Sequence, residues 1–178
     1  MGPNSFFALK DGRIGAIASN QFKLFDPNNN NHCDISIEEK SKNFLPYSGV
    51  SLPNGDFICQ KYLCASLFIV QFDKNSINIL FTIEKTHGGN FGATYIRVMS
   101  DKEFVTWGDG TIKIWKGTRP YSQTPLQVIE NPGKERVLNI LHYPKLNALL
   151  SISRKHDPEF SDMSFYAVRK WTLIPSPA

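Results

Sequence analysis

The histidines are the first candidates for chemistry, because an imidazole can act as a base near neutral pH and can bind metals. His156 is followed by Asp157, and three serines that a hydrolytic triad could use lie nearby: Ser151, Ser153 and Ser161. However, the sequence contains no Gly-x-Ser-x-Gly nucleophile elbow, and the first two serines flank an apolar residue, as in a strand. We therefore predict a loop histidine and ordinary strand hydroxyls, and no catalytic residues.

Cysteine and histidine side chains offer one conceivable zinc site. Cys33, Cys59 and Cys64 with His32 supply the residue types, but no Cys-x-x-Cys pair gives the usual ligand spacing. We expect no metal and no cofactor. The cysteine count is odd and small, and no signal peptide is visible, so we expect buried free thiols in a reducing, cytoplasmic compartment.

Two polar loops contain residue types that cation or phosphate sites use. Asp157, Glu159 and Asp162 form an acidic cluster, but their spacing does not match a calcium-binding loop. Residues 85–92 are rich in glycine, but no Gly-Lys-Ser/Thr follows them and no helix begins behind them, as a phosphate loop requires. We predict a solvated loop in the first case and a turn in the second.

A peptide-docking patch is the remaining candidate site. Exposed Phe91 or Trp107, together with Lys61 and Arg97, would combine aromatic and cationic side chains on a surface that loops present to a partner. We assign these four residues as partner-binding.

The elements that must position these residues are strands, and residues 103–116 are the clearest example. Four β-branched or aromatic residues, 104–107, lead into Gly-Asp-Gly, which supplies the positive φ angles of a tight turn. In the second strand, Ile112 and Ile114 face one side and Trp115 faces the other. One hairpin cannot bury its apolar face alone, so further sheets must pack against it.

Four copies of one unit account for the chain. Each unit has several short strands separated by turns, and its third strand closes near an aromatic residue: Phe25, Phe72, Trp115 and Trp171. These residues recur at close to the ~40–45 residues of a propeller blade. The last interval is longer, because residues 154–164 read as an insertion between strands. Fifteen strands and no amphipathic helix predict an all-β fold of about four blades, each with three to four antiparallel strands.

Length, composition and charge fit a single globular domain. Of the 178 residues, 41% are hydrophobic and 20% are charged, which suits a packed core. We expect no membrane partner, because no apolar run reaches the ~18 residues of a membrane helix. The net charge of +4 is dispersed along the chain, so a nucleic-acid partner is not expected.

The chain resembles the Trp-Asp (WD) repeat family of β-propellers. Residues 109–115, Asp-Gly-Thr-Ile-Lys-Ile-Trp, look like the end of a WD repeat, with Asp109 in the turn and Trp115 six positions later. His87 lies where the family places a histidine before the innermost strand. The resemblance covers residues 6–174, interpreted as one WD-repeat-like domain, and residues 1–5 read as a cloning remnant.

The resemblance is incomplete in two respects. The family often has a serine eight positions before the tryptophan, and Trp107 stands there, so we expect the family's His-Ser-Asp-Trp hydrogen-bond network not to be assembled in full. The family usually has seven or eight blades, and four blades would leave sheet edges open. We expect either the rest of a larger propeller or a second copy, related by C2 symmetry in a homodimer, to complete the ring.

The resemblance implies a non-enzymatic scaffold or adaptor that binds a protein or peptide partner through blade loops. The alternative is a ligand-binding or catalytic propeller whose central site forms only on assembly. That alternative needs acids or histidines on the inner strands. The main polar residues there are Tyr95, Arg97, Asn139 and His142.

Overall fold

The computed structural model describes residues 5–18, 21–28, 31–35, 46–61, 65–73, 76–87, 95–108, 110–132, 135–156 and 164–174. Within these ranges the chain forms fifteen strands in four antiparallel sheets, which confirms the predicted all-β fold of about four blades. A short 3-10 turn, Pro144–Leu146, connects two of these strands. None of the helical structure described has the length and apolar character needed to cross a bilayer.

Each blade is a sheet whose strands lie side by side in chain order. Blade 1 contains β1 (Ser5–Ala8), β2 (Ile14–Ala18), β3 (Gln21–Asp26) and β4 (Asn31–Ile35). Blade 2 contains β5 (Pro46–Ser51), β6 (Phe57–Lys61), β7 (Leu67–Phe72) and β8 (Ile77–Ile83). Blade 3 contains β9 (Tyr95–Val98), β10 (Glu103–Gly108), β11 (Thr111–Lys116) and β12 (Gln127–Glu130). Blade 4 contains β13 (Arg136–Tyr143), β14 (Ala148–His156) and β15 (Ser164–Thr172).

The blades fan out from their first strands. β1 contacts β5, β5 contacts β9, and β13 contacts β10, so consecutive blades pack face to face. The hairpin β10–β11 forms as its alternation predicts, and Gly110 takes a φ of 80° at its turn. Ile112 and Ile114 are buried toward blade 4, and Trp115 is buried toward blade 2.

Apolar clusters between neighbouring blades hold the fan together, since burying one large apolar side chain stabilises a fold by ~1.5–3 kcal/mol. Between blades 1 and 2 the cluster is rich in phenylalanine, and the Phe7 and Phe57 rings lie 4.2 Å apart. Between blades 2 and 3, Ile58 and Ile69 pack near Trp115. The cluster between blades 3 and 4 is built largely from aliphatic side chains on both sheets.

The turn between the first and second strands of a blade recurs and allows the blades to be aligned. In three blades a backbone N–H in this turn donates to the carbonyl three residues earlier: Gly12 to Leu9, Gly55 to Leu52 and Asn147 to Pro144. Counting from this turn and its counterpart in blade 3, the equivalent second-strand residues are Ile14, Phe57, Phe104 and Leu149. Their partners on the third strands are Phe25, Val70, Trp115 and Trp171.

The strand register corrects three expectations from the sequence: one closing residue, the length of one insertion and the start of one strand. The blade 2 counterpart of Trp115 is Val70, whereas Phe72 stacks 5.7 Å from the Phe7 ring between blades 1 and 2. The predicted insertion at 154–164 is shorter, because the β14–β15 ladder continues to the pair His156–Ser164. Ser5 pairs with Ile17, so β1 begins inside the segment interpreted as a cloning remnant.

Candidate functional site

The connection between β11 and β12, residues 117–126, is named the strap here. It begins at Gly117, whose N–H donates to the Lys102 carbonyl at 2.6 Å. It ends at Leu126, whose N–H donates to the Ile114 carbonyl at 2.7 Å. The strap thus leaves blade 3 and returns to it, and between these points it contacts blade 2.

A buried carboxylate anchors the strap on blade 2. Asp56 is only 3% exposed, and Arg119 donates to both of its oxygens, at 3.0 Å from Nε and 2.7 Å from Nη2. The Tyr121 hydroxyl donates to Asp56 Oδ2 at 2.5 Å, and Asn54 Nδ2 donates to the same oxygen at 3.1 Å. A buried charge is costly unless it is paired and hydrogen-bonded in this way, so the cluster fixes the strap's position.

Burial and this carboxylate also change the acidity of the strap's side chains. Burial, followed by the hydrogen bond to Asp56, raises the pKa of Tyr121 from 10.0 to about 12. The hydrogen bonds to Asp56 raise the pKa of the Arg119 guanidinium further above its already high value. Both groups therefore keep their protons throughout the physiological range, and the anchor does not switch there.

A second anchor lies further along the strap. Gln123 donates from Nε2 to the Thr82 carbonyl at 2.5 Å and accepts the Glu84 N–H at 3.0 Å. One amide side chain thereby binds backbone on both sides of the end of β8. The strap is consequently a rigid wall rather than a loose loop.

Beyond its second anchor, the strap forms one side of a cleft of about 610 Å³ between blades 3 and 4. The other walls are the β9–β10 turn, the β13–β14 turn and the segment that follows β15. The cleft is lined by Ser100, Lys102, Glu103, Ile114, Thr124, Pro125, Leu126, Gln127, Asn147, Leu173 and Ile174.

The lining combines an apolar floor with a polar rim. Ile114 and Leu173 are buried beneath it, whereas Leu126 and Ile174 remain substantially exposed. Hydrogen bonds fix the walls: Asn147 and Leu173 exchange two, at 2.9 and 3.0 Å, and the Ile174 N–H donates to Gln127 Oε1 at 3.2 Å. Concave sites of this size that mix apolar surface with a few fixed polar groups are typical binding sites.

The ionisable side chains that line the cleft are Lys102 and Glu103. Its lining contains no histidine or cysteine, and no group of three or more metal-ligating side chains occurs among the described residues. On the inner strands, His142 donates from Nδ1 to the Met99 carbonyl at 3.1 Å, as an interblade contact. Ser151 and Ser153 are buried and hydrogen-bonded to Trp171 and Asn131, while Asp157 and Ser161 lie outside the described residues.

The predicted docking patch is corrected at Trp107. This side chain is 4% exposed, lies in the core between blades 3 and 4, and stacks on Tyr95 with centroids 5.4 Å apart. The Arg97 guanidinium donates to the Ile140 carbonyl and so joins the same two blades. The expectation of an exposed Trp107 is wrong because its strand faces a neighbouring blade. Phe91 and the Lys61 side chain lie outside the described residues.

The repeat signature forms a hydrogen-bond chain that differs from the sequence expectation. Trp115 Nε1 donates to Thr106 Oγ1 at 2.8 Å, Thr106 Oγ1 lies 2.9 Å from His87 Nε2, and His87 Nδ1 lies 2.8 Å from Thr111 Oγ1. The hydroxyl comes from Thr106, the residue before Trp107, so a threonine takes part where the family often has a serine. That the full His-Ser-Asp-Trp network is not assembled stays a prediction. Asp109 lies outside the described residues.

The strap and the cleft were not found from the sequence, although one signal was available. Residues 117–126 are far longer than a two-residue hairpin turn and contain two prolines. Long irregular connections on a rigid scaffold often carry function. What the sequence does not give is the distance between this connection and the end of β15, because that depends on how two blades pack.

Comparison with known proteins identifies the fold of the chain through solved structures. No protein-family model matches the chain, and no curated protein matches it by sequence. YCF48 bound to D1 peptide superposes with a TM-score of 0.61 at 8% identity, covering 99% of this chain and 52% of that chain. A chain of the mitotic checkpoint complex gives 0.61 at 9% identity, covering 92% and 49%. Virginiamycin B lyase from Staphylococcus aureus gives 0.59 at 14% identity, covering 97% and 55%.

These similarities concern architecture, since identities this low show the fold alone. The chain spans about half the length of the solved structures it matches. The matched structures are β-propeller proteins, some bound to peptides or held in protein complexes and some enzymes. The described residues therefore form about four blades of a β-propeller fold.

Proposed function

We propose that this chain is a non-enzymatic interaction module, a scaffold or adaptor of the WD-repeat type, which binds a protein or peptide partner. The observation that carries the proposal is the cleft between blades 3 and 4. It is preformed, walled by hydrogen-bonded turns, floored by apolar side chains and free of histidine and cysteine in its lining. Such a site suits recognition better than catalysis.

The chemistry of the cleft suggests an extended peptide as the ligand. Leu126 and Ile174 offer apolar contact at its edge, and Lys102 and Glu103 offer one charge of each sign. The side chains of Thr124 and Asn147 add polar groups to the lining. A segment with one or two apolar side chains and little net charge fits this surface.

Two further features support the WD-repeat type and its setting. The chain of hydrogen bonds through Trp115, Thr106 and His87 is similar to the buried network that this family builds in its blades. Cys59 is a buried free thiol, and burial raises its pKa well above the ordinary range. An unreactive thiol of this kind is compatible with the reducing, cytoplasmic location that we propose.

Selection from a random peptide library tests the proposal. The full chain is immobilised, the library is counter-selected against Leu126→Glu, and selected peptides are titrated by fluorescence anisotropy. We expect dissociation constants on the order of 1–100 μM and at least tenfold weaker binding to Leu126→Glu. A charge placed at this partly exposed position blocks the cleft without entering the core.

The matched control is Ile79→Glu, which puts the same change on an exposed position of β8 in blade 2. Selected peptides should bind this variant as they bind the unmodified chain. Circular dichroism establishes that both variants fold. If no peptide is enriched, or if Leu126→Glu binds as well as Ile79→Glu, the cleft is not the recognition site.

A further inference from the structure

The turns between the first and second strands of blades 2 and 3 place a carboxylate at the same position. The residue that opens each turn donates its N–H to the carbonyl four residues later, from Leu52 to Asp56 at 2.8 Å and from Met99 to Glu103 at 3.0 Å. Asp56 and Glu103 are therefore equivalent residues of the repeat. Asp56 lies under the strap, at the junction of blades 2 and 3, whereas Glu103 lines the cleft at the junction of blades 3 and 4.

The segments that follow the third strands of blades 3 and 4 are equivalent too. The Gly117 N–H donates to the Lys102 carbonyl in the β9–β10 turn, and the Leu173 N–H donates to the Asn147 carbonyl in the β13–β14 turn. Gly117 begins the strap, which occupies the junction of blades 2 and 3, and Leu173 lies in the wall of the cleft. The strap's contacts with blade 2 therefore show which chemistry can fill a junction of this kind.

The strap fills its junction with an arginine and, two residues later, an aromatic side chain. Arg119 donates to both oxygens of Asp56, and the Tyr121 hydroxyl donates to the same carboxylate. The Tyr121 ring packs against the apolar cluster between blades 2 and 3, with its centroid 6.2 Å from that of Phe81. Carboxylate and apolar surface are thus recognised together by a short extended segment.

The cleft has the carboxylate and the apolar surface, but its own chain has different residues at the strap's binding positions. Counted from Leu173, the sequence has Pro175 in place of the strap's arginine and Pro177 in place of its tyrosine, both outside the described residues. Proline has neither a side-chain donor nor an aromatic ring. Glu103 is half-buried and also interacts within the chain, and a carboxylate can accept about four hydrogen bonds. A guanidinium from another molecule can therefore join Glu103 in the cleft, and exposed Leu126 can receive a ring.

We propose that the cleft binds an extended peptide segment in which an arginine is followed two residues later by an aromatic residue. The arginine pairs with Glu103 as Arg119 pairs with Asp56, and the aromatic ring packs on Leu126. An arginine suits this role because its guanidinium can donate two parallel hydrogen bonds to one carboxylate. The inference rests on the proposed function, since it names the chemistry of the peptide that the cleft takes.

A labelled peptide with the strap's own sequence, residues 117–123, is the probe. This peptide, Gly-Thr-Arg-Pro-Tyr-Ser-Gln, is titrated with the full chain by fluorescence anisotropy. We expect a dissociation constant on the order of 100 μM. Binding should be weaker by about tenfold or more when the peptide has Arg119→Gln, or when the chain has Glu103→Gln, because either change removes the charged pair. The matched control is Glu130→Gln, which removes the same charge at an exposed position of β12 outside the cleft lining and should leave binding unchanged.

The outcomes separate this inference from the proposed function. Circular dichroism tests the folding of each chain variant, and Arg119→Gln in the peptide carries the test without altering the chain. A probe that does not bind, or that binds equally well with Arg119→Gln, overturns the inference. Binding that Asp56→Asn weakens and Glu103→Gln does not weaken also overturns it, since the probe would then exchange with the strap at blade 2. If library-selected peptides still require Leu126 in these cases, the cleft remains a recognition site and only its preference for arginine is wrong.

Discussion

Thr106 accepts the indole N–H of Trp115 at 2.8 Å, and the same relationship recurs one blade later, where Ser151 accepts that of Trp171 at 2.9 Å. In each blade the hydroxyl lies two positions beyond the strand partner of the tryptophan. An indole nitrogen can only donate, so the Thr106 hydroxyl can give its own proton to His87 Nε2. Blades 3 and 4 therefore share a buried indole–hydroxyl hydrogen bond, although the two blades have different residues, threonine and serine, as its acceptor.

Replacing Thr106 by valine should destabilise the fold. The side chains have nearly the same shape, but the variant leaves the buried Trp115 N–H and His87 Nε2 without this hydroxyl. We expect a loss of about 2–3 kcal/mol in the free energy of unfolding, measured with urea. Thr172→Val makes the same change at an exposed strand position and should stay within about 0.5 kcal/mol. Equal effects of the two variants would show that the network contributes nothing.

Comparing substitutions at Trp107 and Trp115 measures how much one buried indole hydrogen bond contributes to stability. Both indoles are buried, but among the described residues Trp107 Nε1 has no hydrogen-bond partner. Phenylalanine removes a similar volume at either site, and only at Trp115 does it remove a hydrogen bond. Trp115→Phe should therefore cost about 1 kcal/mol more than Trp107→Phe in urea unfolding. A larger loss for Trp107→Phe would contradict the assigned bonding.

Stability should depend on the Tyr121 proton at high pH. The folded state raises the pKa of this phenol from 10.0 to about 12, so it holds the proton more tightly than the unfolded chain does. The stabilisation is complete below pH 10 and is lost as the pH rises toward 12. Tyr121→Phe removes this dependence.

Urea unfolding at pH 8 and pH 11 provides the comparison. Because Tyr121 is only partly buried, we expect the stability difference between the unmodified chain and Tyr121→Phe to shrink by about 1 kcal/mol. Tyr166→Phe, at an exposed position of β15, controls for general effects of alkaline pH. A difference that is the same at both pH values would mean that the Tyr121 pKa is not raised in the folded state.

Local pattern predicted the strands well, because alternation in a strand is decided by neighbouring residues. The alternation predicts that Ile112 and Ile114 share one face, and both are buried against blade 4. Pattern failed where the outcome depends on another blade. Trp107 was expected at the surface, yet blade 4 covers it. Residue type predicts Phe72 as a closing aromatic, whereas in the observed register Val70 takes that position.

Local sequence pattern also fails to predict the cleft. Leu126 and Ile174 belong to different blades, and no spacing in the sequence indicates that they line one cavity. The anchoring of the strap is equally long-range, because Asp56 and Arg119 meet across two blades. Such contacts follow from how the sheets pack, which local periodicity does not encode.

Hydrogen–deuterium exchange of the full chain, with and without a library-selected peptide, tests the central claim most directly. The account predicts that the peptide slows exchange in the segments that wall the cleft, residues 100–103, 124–127 and 173–174. Protection that appears instead around residues 86–87 and 110–111, near His87 and the β10–β11 turn, would contradict it. Recognition would then belong to the loops where the sequence alone suggested a docking patch.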